Sequence, residues 1–369
     1  MVRKQIDYWV WQDDFGKKEK ANILKSLSKK RIDLGQFTYD LENNLKKYLK
    51  SNDVIAVSSG SAATLLAFMA LNIKNGDEII MPNLGWVNAT NACKILGAKP
   101  VFVDVEKRRM TIDANQIEKV ITKNTKIIFT ISLNGYFGDM KKIVNIAKKH
   151  NIFLVEDACH LIGLKKDGKF AGTFGDIGIF SMSMTKPLTS GQGGFLTVKK
   201  KSLSERIRNM RRHGYTGVKN VTKYDKFGFN FKITDLQSSL ALVSLKKLKK
   251  TQNKILSNYK YLIKKLSPVR KFMIPGAHVN FETEKPMYME FLVFKKRKKL
   301  SEFLLKNKIE NKFGPMGFHR TELFKVPNKK YPNTEELEKT QLFLPSGPSI
   351  TKKQLDLIIY KILSFYSHQ

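Results

Sequence analysis

The chain has 369 residues, 42% of them hydrophobic, and carries a formal net charge of +35 at pH 7. Its length suits one large α/β domain with a smaller appendix. Its start lacks the apolar core of a signal peptide, and no stretch reaches the ~18 apolar residues of a membrane span, so a soluble, cytoplasmic protein with no membrane partner is expected. Cys93 and Cys159 show neither paired nor metal-ligand spacing, which argues against a disulfide framework or a metal centre and fits a reducing compartment.

The positive excess is mainly Lys, dispersed along the chain with local runs at 199–201, 246–250 and 295–299. Arg is scarce, and neither zinc-finger spacing nor an aromatic-interleaved basic motif occurs. Solvated Lys faces are therefore favoured over a nucleic-acid surface. The field still favours anionic substrates.

Residues 17–50 read as helices broken near 33–38, the second placing Leu41, Leu45 and Tyr48 on one face. Val54-Ile55-Ala56-Val57 predicts a short strand, followed by the small-residue turn Ser58-Ser59-Gly60-Ser61-Ala62-Ala63 and a helical run over 65–71. Such a turn exposes backbone N–H groups at the positive end of a helix, a seat for phosphate, to which Ser61 would add its hydroxyl; an ordinary N-cap by Ser59 or Ser61 explains it equally well. A strand at 78–82 leads to Asn83-Leu84-Gly85-Trp86, where Trp86 either lies against an aromatic cofactor or belongs to the core. Strands are expected at 100–105, 125–131 and 195–198, and helices at 114–121 and 140–150. A long helix over 235–266 carries Leu236, Leu240 and Val243 in a stripe. Beyond Pro268 the pattern is that of a smaller α+β unit, with a strand at 289–294 and a closing helix at 352–365. Strands alternating with helices imply a mostly parallel sheet between helical layers, with ligands at the carboxyl ends of the strands.

The stretch 152–194 carries the most chemistry. An apolar run, Ile152-Phe153-Leu154-Val155, delivers Glu156-Asp157-Ala158-Cys159-His160 at its carboxyl end. A second, Ile177-Gly178-Ile179-Phe180, leads into Ser181 and Lys186, ahead of Gly191-Gln192-Gly193-Gly194. An Asp at one strand end, with a Ser and a Lys past the next, is what a pyridoxal phosphate enzyme requires: the Lys forms the Schiff base and the Asp keeps the pyridinium nitrogen protonated. Taken alone, a solvated Lys and a helix-capping Asp remain the simpler account of Lys186 and Asp157.

The order of the parts narrows this. The segments 57–63, 100–104, 156–160, 172–176, 180–186, 191–194, 212–214 and 228–231, with a weaker echo at Leu344-Pro345, resemble collinear motifs of the DegT/DnrJ/EryC1 family of pyridoxal phosphate-dependent sugar aminotransferases. The resemblance implies a fold-type-I α/β architecture: a mostly parallel central sheet sandwiched by helices in a large domain over 1–245, and a smaller C-terminal α+β domain over 246–369 with its connecting helix. It assigns the Schiff base and proton transfer to Lys186, the pyridinium contact to Asp157, ring stacking to Trp86, and a place near the cofactor's phenolic oxygen to His160. Phosphate contacts fall to Ser61, the Gly60 and Ala62 amides and Ser181, with Asn230 reaching in from the partner of a homodimer. Relatives that act as 3-dehydratases carry His where this chain has Lys186, so transamination is implied. The expected reaction moves an amino group from glutamate, or glutamine, to a keto group of a nucleotide-linked deoxy sugar in amino-sugar and polysaccharide biosynthesis.

Three departures from the family pattern stand out: Gln192 in place of Glu, Lys232 in place of Arg, and Ser132-Leu133-Asn134-Gly135 in place of His-Leu-Tyr-Gly. Lys does not reproduce the donor fork of Arg. Substrate-reading loops are expected at 83–86, 215–227 and 314–320, the last setting His319 and Arg320 in a Gly/Pro-shaped turn that is either part of the acceptor site or purely structural. Two other readings remain at this level: a relative without catalysis acting as a basic binding protein, and aminotransfer to a cyclic ketone that is not nucleotide-linked.

Overall fold

In a computed structural model, which describes residues 5–9, 15–29, 32–217, 223–276, 280–326 and 330–367, two helices, α1 (Lys17–Ser28) and α2 (Gln36–Leu49), precede the first strand, β1 (Asp53–Val57). Helices and strands then alternate: α3 (Gly60–Ala70), β2 (Glu78–Pro82), α4 (Asn88–Leu96), β3 (Lys99–Val103), α5 (Ala114–Ile117), β4 (Thr125–Ile131), α6 (Met140–Lys149) and β5 (Phe153–Asp157). A small hairpin of β6 (Lys165–Lys166) and β7 (Lys169–Phe170) comes before β8 (Ile177–Ser181), β9 (Gly194–Val198) and α7 (Lys201–Met210).

Seven strands form one sheet in the order β1-β9-β8-β5-β4-β2-β3. Strands β8, β5, β4, β2 and β3 pair in parallel, and β9 runs antiparallel between β1 and β8. This is the mostly parallel sheet expected, and helices cover both of its faces. Val54 and Ala56 enter the layer that holds Leu41 of α2 and Ile143 of α6. Ile55 and Val57 enter the opposite layer, with Leu66 of α3 and Ala92 of α4. Burial on both faces is why these strands read as unbroken apolar runs.

On α2, Leu41 and Leu45 are fully buried as expected. Tyr48 instead stays 36% exposed at the rim, tilted against Phe170, and Leu49 takes the buried position. Gly35 precedes this helix and has no side chain to cap it. The buried Asp235 does so from across the fold, accepting from Gly35 N at 2.9 Å, Phe37 N at 3.1 Å, Thr38 N at 3.0 Å and Thr38 Oγ1 at 2.6 Å.

Asp235 also begins α8 (Asp235–Lys265), whose N-terminus is closed by a Thr234–Gln237 capping box. Leu236 and Leu240 are only half-buried, whereas Ala241, Val243 and Leu248 are buried. The helix runs unbroken into a second core, where Tyr259 and Leu262 meet Met289 and Leu342. That core sits under an antiparallel sheet of β10 (Met273–Pro275), β11 (Met289–Val293), β12 (Lys312–Phe313) and β13 (Gln341–Leu344), ordered β10-β11-β13-β12. Helices α9 (Arg297–Lys306), α10 (Pro332–Thr340) and α11 (Lys352–Ser367) complete it. Ile6 is buried in the same core and bridges to Ile309. Among the described residues no helix is long and apolar enough to cross a membrane.

Candidate active site

The strand order sets the carboxyl ends of β8, β5, β4 and β2 side by side, and Gly60, Asp157, His160, Ser181 and Lys186 gather there. At the first of them lies the entry to α3. Ser59 is the N-cap, its Oγ accepting from Ala62 N at 3.0 Å. Ser61 is left exposed on the first turn, and Gly60 is buried. A methyl on Gly60 would stand 3.0 Å from Ser181 Cβ, so glycine lets the helix start press against the end of β8. Gly194, paired with Ser181, leaves no more room: a Cβ there would meet Ser59 C at 2.5 Å and Gly60 N at 2.6 Å. The amino end of an 11-residue helix and the Ser181 hydroxyl thus share one corner.

Asp157 closes β5 and is buried; its Oδ1 accepts from Cys159 N at 3.1 Å. Burial pushes its carboxyl pKa up, an effect that the Cys159 hydrogen bonds and the charge of Lys186 oppose. Lys186 follows β8 in a turn held by its own N–H on Ser183 O at 3.0 Å. Its Nζ lies 2.5 Å from His160 Nε2. The other ring nitrogen of His160, Nδ1, accepts from Asn134 N at 2.9 Å. Burial, and then the neighbouring charge of Lys186, hold the His160 pKa well below the usual imidazole range. Next door, Glu156 is committed to structure. Its carboxylate gathers the backbone N–H groups of Gly172, Phe174 and Gly175, and burial pushes its pKa up to about 7.

Trp86, just beyond β2, keeps 70% of its surface exposed, so it is not a core residue. Asn230 is exposed on a segment that bridges to Arg212, with its Oδ1 accepting from Lys232 N at 3.4 Å. His319 is buried: its Nδ1 lies 2.7 Å from Asn83 Nδ2, and its N–H donates to Asn83 Oδ1 at 3.0 Å. Arg320 points to the exposed rim and pairs with Glu338 at 3.1 Å. The 314–320 turn is thereby fastened to the 83–86 loop. Of the 215–227 loop, residues 218–222 lie outside the described residues.

Several neighbours of the site were given no role from the sequence. Asn83 anchors His319, Thr185 bonds the Tyr288 hydroxyl at 3.3 Å, and Tyr288 packs edge-on to His160 with ring centroids 5.6 Å apart. Tyr288 comes from the segment entering β11, so its position beside Lys186 is a product of the fold. Asn134 left one signal in the sequence, as the departure from Tyr.

These residues fit pyridoxal phosphate. The Asp157 carboxylate, raised by burial, suits a cationic ring nitrogen. The half-buried amine of Lys186 suits an aldehyde, and the start of α3 with Ser61 and Ser181 suits a phosphate. The pattern of the DegT/DnrJ/EryC1/StrS aminotransferase family matches residues 13–363. The chain is 31% identical to a GDP-perosamine synthase of Escherichia coli O157:H7, over 97% of this chain and 98% of that protein. The structure of TlmJ, an aminotransferase from Streptoalloteichus hindustanus, superposes with a TM-score of 0.93 at 21% identity, covering 99% of this chain and 100% of that one. NtdA from Bacillus subtilis, solved with bound cofactor PMP, superposes with a TM-score of 0.86 at 27% identity, covering 95% and 82%. The chain therefore belongs to the DegT/DnrJ/EryC1/StrS family and is a pyridoxal phosphate-dependent sugar aminotransferase.

Proposed function

We propose that this enzyme transfers an amino group from glutamate to a keto group of a nucleotide-linked deoxy sugar, in a homodimer with shared sites. The observation that carries the proposal is the placement of Lys186 Nζ against His160, in the loop after the strand beside Asp157. A His in place of Lys186 belongs to dehydration; a primary amine there supports transfer. The full-length match to a GDP-perosamine synthase supports a nucleotide sugar as acceptor.

When bound, the cofactor supplies the electron sink that acidifies the substrate's Cα–H. The chain's own residues do the rest. Lys186 would hold the cofactor and, once released as a free amine, take the proton from the amino donor's Cα and in the second half-reaction return one to the product carbon that bears the new amine. Asp157 keeps the ring nitrogen protonated, and its burial strengthens that pairing. The Gly60 amide, Ser61 and Ser181 would bind the phosphate, the Ala62 amide being already committed to the Ser59 cap, and Trp86 would lie against the ring. His160 meets the phenolic oxygen. Asn230 completes the partner's phosphate seat. Exposure of Trp86 together with Tyr224, Phe227 and Phe229, the last 50% exposed beside Asn230, supports a surface that a second copy covers. In the acceptor loop, Arg320 at the rim meets the anionic substrate, and His319, committed to Asn83, holds the loop in place.

The test is absorbance of the protein supplied with pyridoxal phosphate, before and after glutamate, beside a Lys186→Ala variant. A Lys186-dependent band that glutamate converts to the amine form of the cofactor is expected, followed by recovery with a keto-sugar nucleotide. A band unaffected by Lys186→Ala would refute the assignment of the lysine. Recovery only with a ketone lacking a nucleotide would refute the acceptor class.

A further inference from the structure

Both ring nitrogens of His160 are engaged. Nδ1 faces the backbone N–H of Asn134, a group that can only donate, so Nδ1 accepts. A neutral imidazole carries one proton, which then sits on Nε2, and Nε2 is the nitrogen 2.5 Å from Lys186 Nζ. That contact is a hydrogen bond only when the Lys186 amine has lost its proton, because Nε2 is already the donor; against the charged amine that depresses the His160 pKa it is repulsive.

What aims the Asn134 N–H is the rest of that residue. Asn134 sits in the left-handed region with φ 52° and ψ 25°, a conformation asparagine tolerates better than the tyrosine of the family pattern. It is 1% exposed, and its side-chain amide is fully used. Oδ1 accepts from Met287 N at 3.0 Å and Tyr288 N at 2.6 Å; Nδ2 donates to Glu290 Oε2 at 2.9 Å, with Tyr288 O and the Tyr136 hydroxyl nearby. Glu290 is held in turn by Gln341 Nε2 at 2.7 Å. One asparagine therefore ties the loop after β4 to the second sheet while its backbone orients a site histidine. Second-sphere groups of this kind set the tautomer of the residue they hold.

We propose that Asn134 is a positioning residue of the aminotransfer site. Its side chain clamps the 132–136 loop to residues 287–290, its N–H fixes His160 as the Nε2–H tautomer, and that tautomer is a standing donor toward Lys186 and toward the phenolic oxygen of the cofactor. Only the last clause rests on the reading under Proposed function. Glutamine at position 160 would offer an N–H in place of Nε2–H; leucine would offer none.

The tautomer is read from imidazole 15N shifts of the full chain without cofactor, with the His160 signals identified by their loss in His160→Gln. The expected result is a protonated Nε2 and a bare Nδ1. In Asn134→Gly, which keeps the left-handed backbone accessible and cuts every side-chain tie, both nitrogens should move toward averaged shifts. A proton on Nδ1 in the wild type overturns the proposal whatever the variants do, and an unchanged Nε2–H in folded Asn134→Gly overturns the clamp. Should Asn134→Gly not fold, position 160 decides: His160→Leu should weaken pyridoxal phosphate binding roughly tenfold and His160→Gln only slightly. Equal losses in the two overturn the donor role. Failure of the cofactor reading would look different, as the expected tautomer with no Lys186-dependent absorption.

Discussion

Replacing Gly60 by alanine separates the phosphate seat from the fold that carries it. The added methyl would lie 3.0 Å from Ser181 Cβ, 3.4 Å from its Cα and 3.5 Å from its Oγ. Carbon atoms rest at about 3.5–4.0 Å, so one side must give by about half an ångström. Ser181 cannot retreat, because β8 is paired on both edges and Gly194 is already pressed against Ser59 and Gly60. The first turn of α3 moves instead. Overpacking of this kind costs about 1–3 kcal/mol, and the helix preference of Ala over Gly returns about 0.5–1 kcal/mol, which leaves a net loss of roughly 0–2.5 kcal/mol. The site suffers more than the fold. The displaced first amides of α3 and the Ser181 hydroxyl no longer converge, and one lost hydrogen bond to a charged phosphate, about 1.5–3 kcal/mol, weakens cofactor binding roughly ten- to a hundredfold. Titration of the apoprotein with pyridoxal phosphate, run beside urea unfolding, reads the two effects separately. A folded Gly60→Ala protein that binds the cofactor within about twofold of wild type would refute the placement of the phosphate at α3.

Two further outcomes follow from buried polar groups. Asp235→Ala removes the acceptor of three backbone N–H groups and the Thr38 hydroxyl in a buried position, so the loss should exceed the ~1 kcal/mol of an ordinary cap and reach about 3 kcal/mol by urea unfolding; a loss under about 1 kcal/mol would show that water or a shifted loop replaces it. His160 is neutral in the folded chain below the range where an unfolded histidine takes up a proton, so the unfolded state binds more protons and stability falls as pH drops through about 6.5, by about 1.4 kcal/mol per unit until the folded ring itself titrates. Subtracting the same curve for His160→Gln isolates that slope from Glu156, whose raised pKa acts in the opposite direction. Identical slopes in the two proteins would refute the burial of a neutral ring.

The seven-strand sheet was legible because its strands are short apolar runs alternating with helical periods, and because the motifs holding Asp157, Ser181 and Lys186 follow the carboxyl ends of strands. Asp157, Ser181 and Lys186 stand there for the reason the sequence suggests. The second sheet was legible only at β11. Gln341-Leu342-Phe343-Leu344 is too short for periodicity to mark it, and β12 is a two-residue strand defined by its partner β13. The α3 turn was ambiguous between a cap and a phosphate seat, and the structure divides the labour: Ser59 caps, and Ser61 is left exposed. Trp86 was weighed as core, yet it lies open at the mouth. His319 and Arg320 are adjacent in sequence but take different partners, one locked on Asn83 and the other on Glu338, and no pattern in the turn carries that information. The roles of Asn134 and Tyr288 were hidden for the same reason.

Several of the chain's acids are spent inside. Glu42 is spent on Arg208 and Arg211, Asp53 on Arg208, and Glu284 on Arg109, while Asp104 holds the start of α10 through Asn333 N and Thr334 N at 2.9 Å each. Arg109, Arg208 and Arg211 serve in these buried or half-buried pairs, where a fork of donors can satisfy a carboxylate that has lost its water. Lysines such as Lys99, Lys149 and Lys201 lie outside, at least 69% exposed, and reach carboxylates only in surface pairs that contribute little. The +35 is set by 67 Lys and Arg against 32 Asp and Glu, and with several of those acids spent in interior pairs the exterior is left largely to Lys. A field of that sign does not select one anion over another, and salt screens it within about 10 Å at 0.1 M. It raises the rate at which phosphate-bearing molecules arrive, the cofactor among them. Discrimination is left to short-range groups, so the departures at Gln192 and Lys232, rather than the lysine count, are where this enzyme's choice of substrate should be sought, while Asn134, buried and fully bonded, acts only through His160.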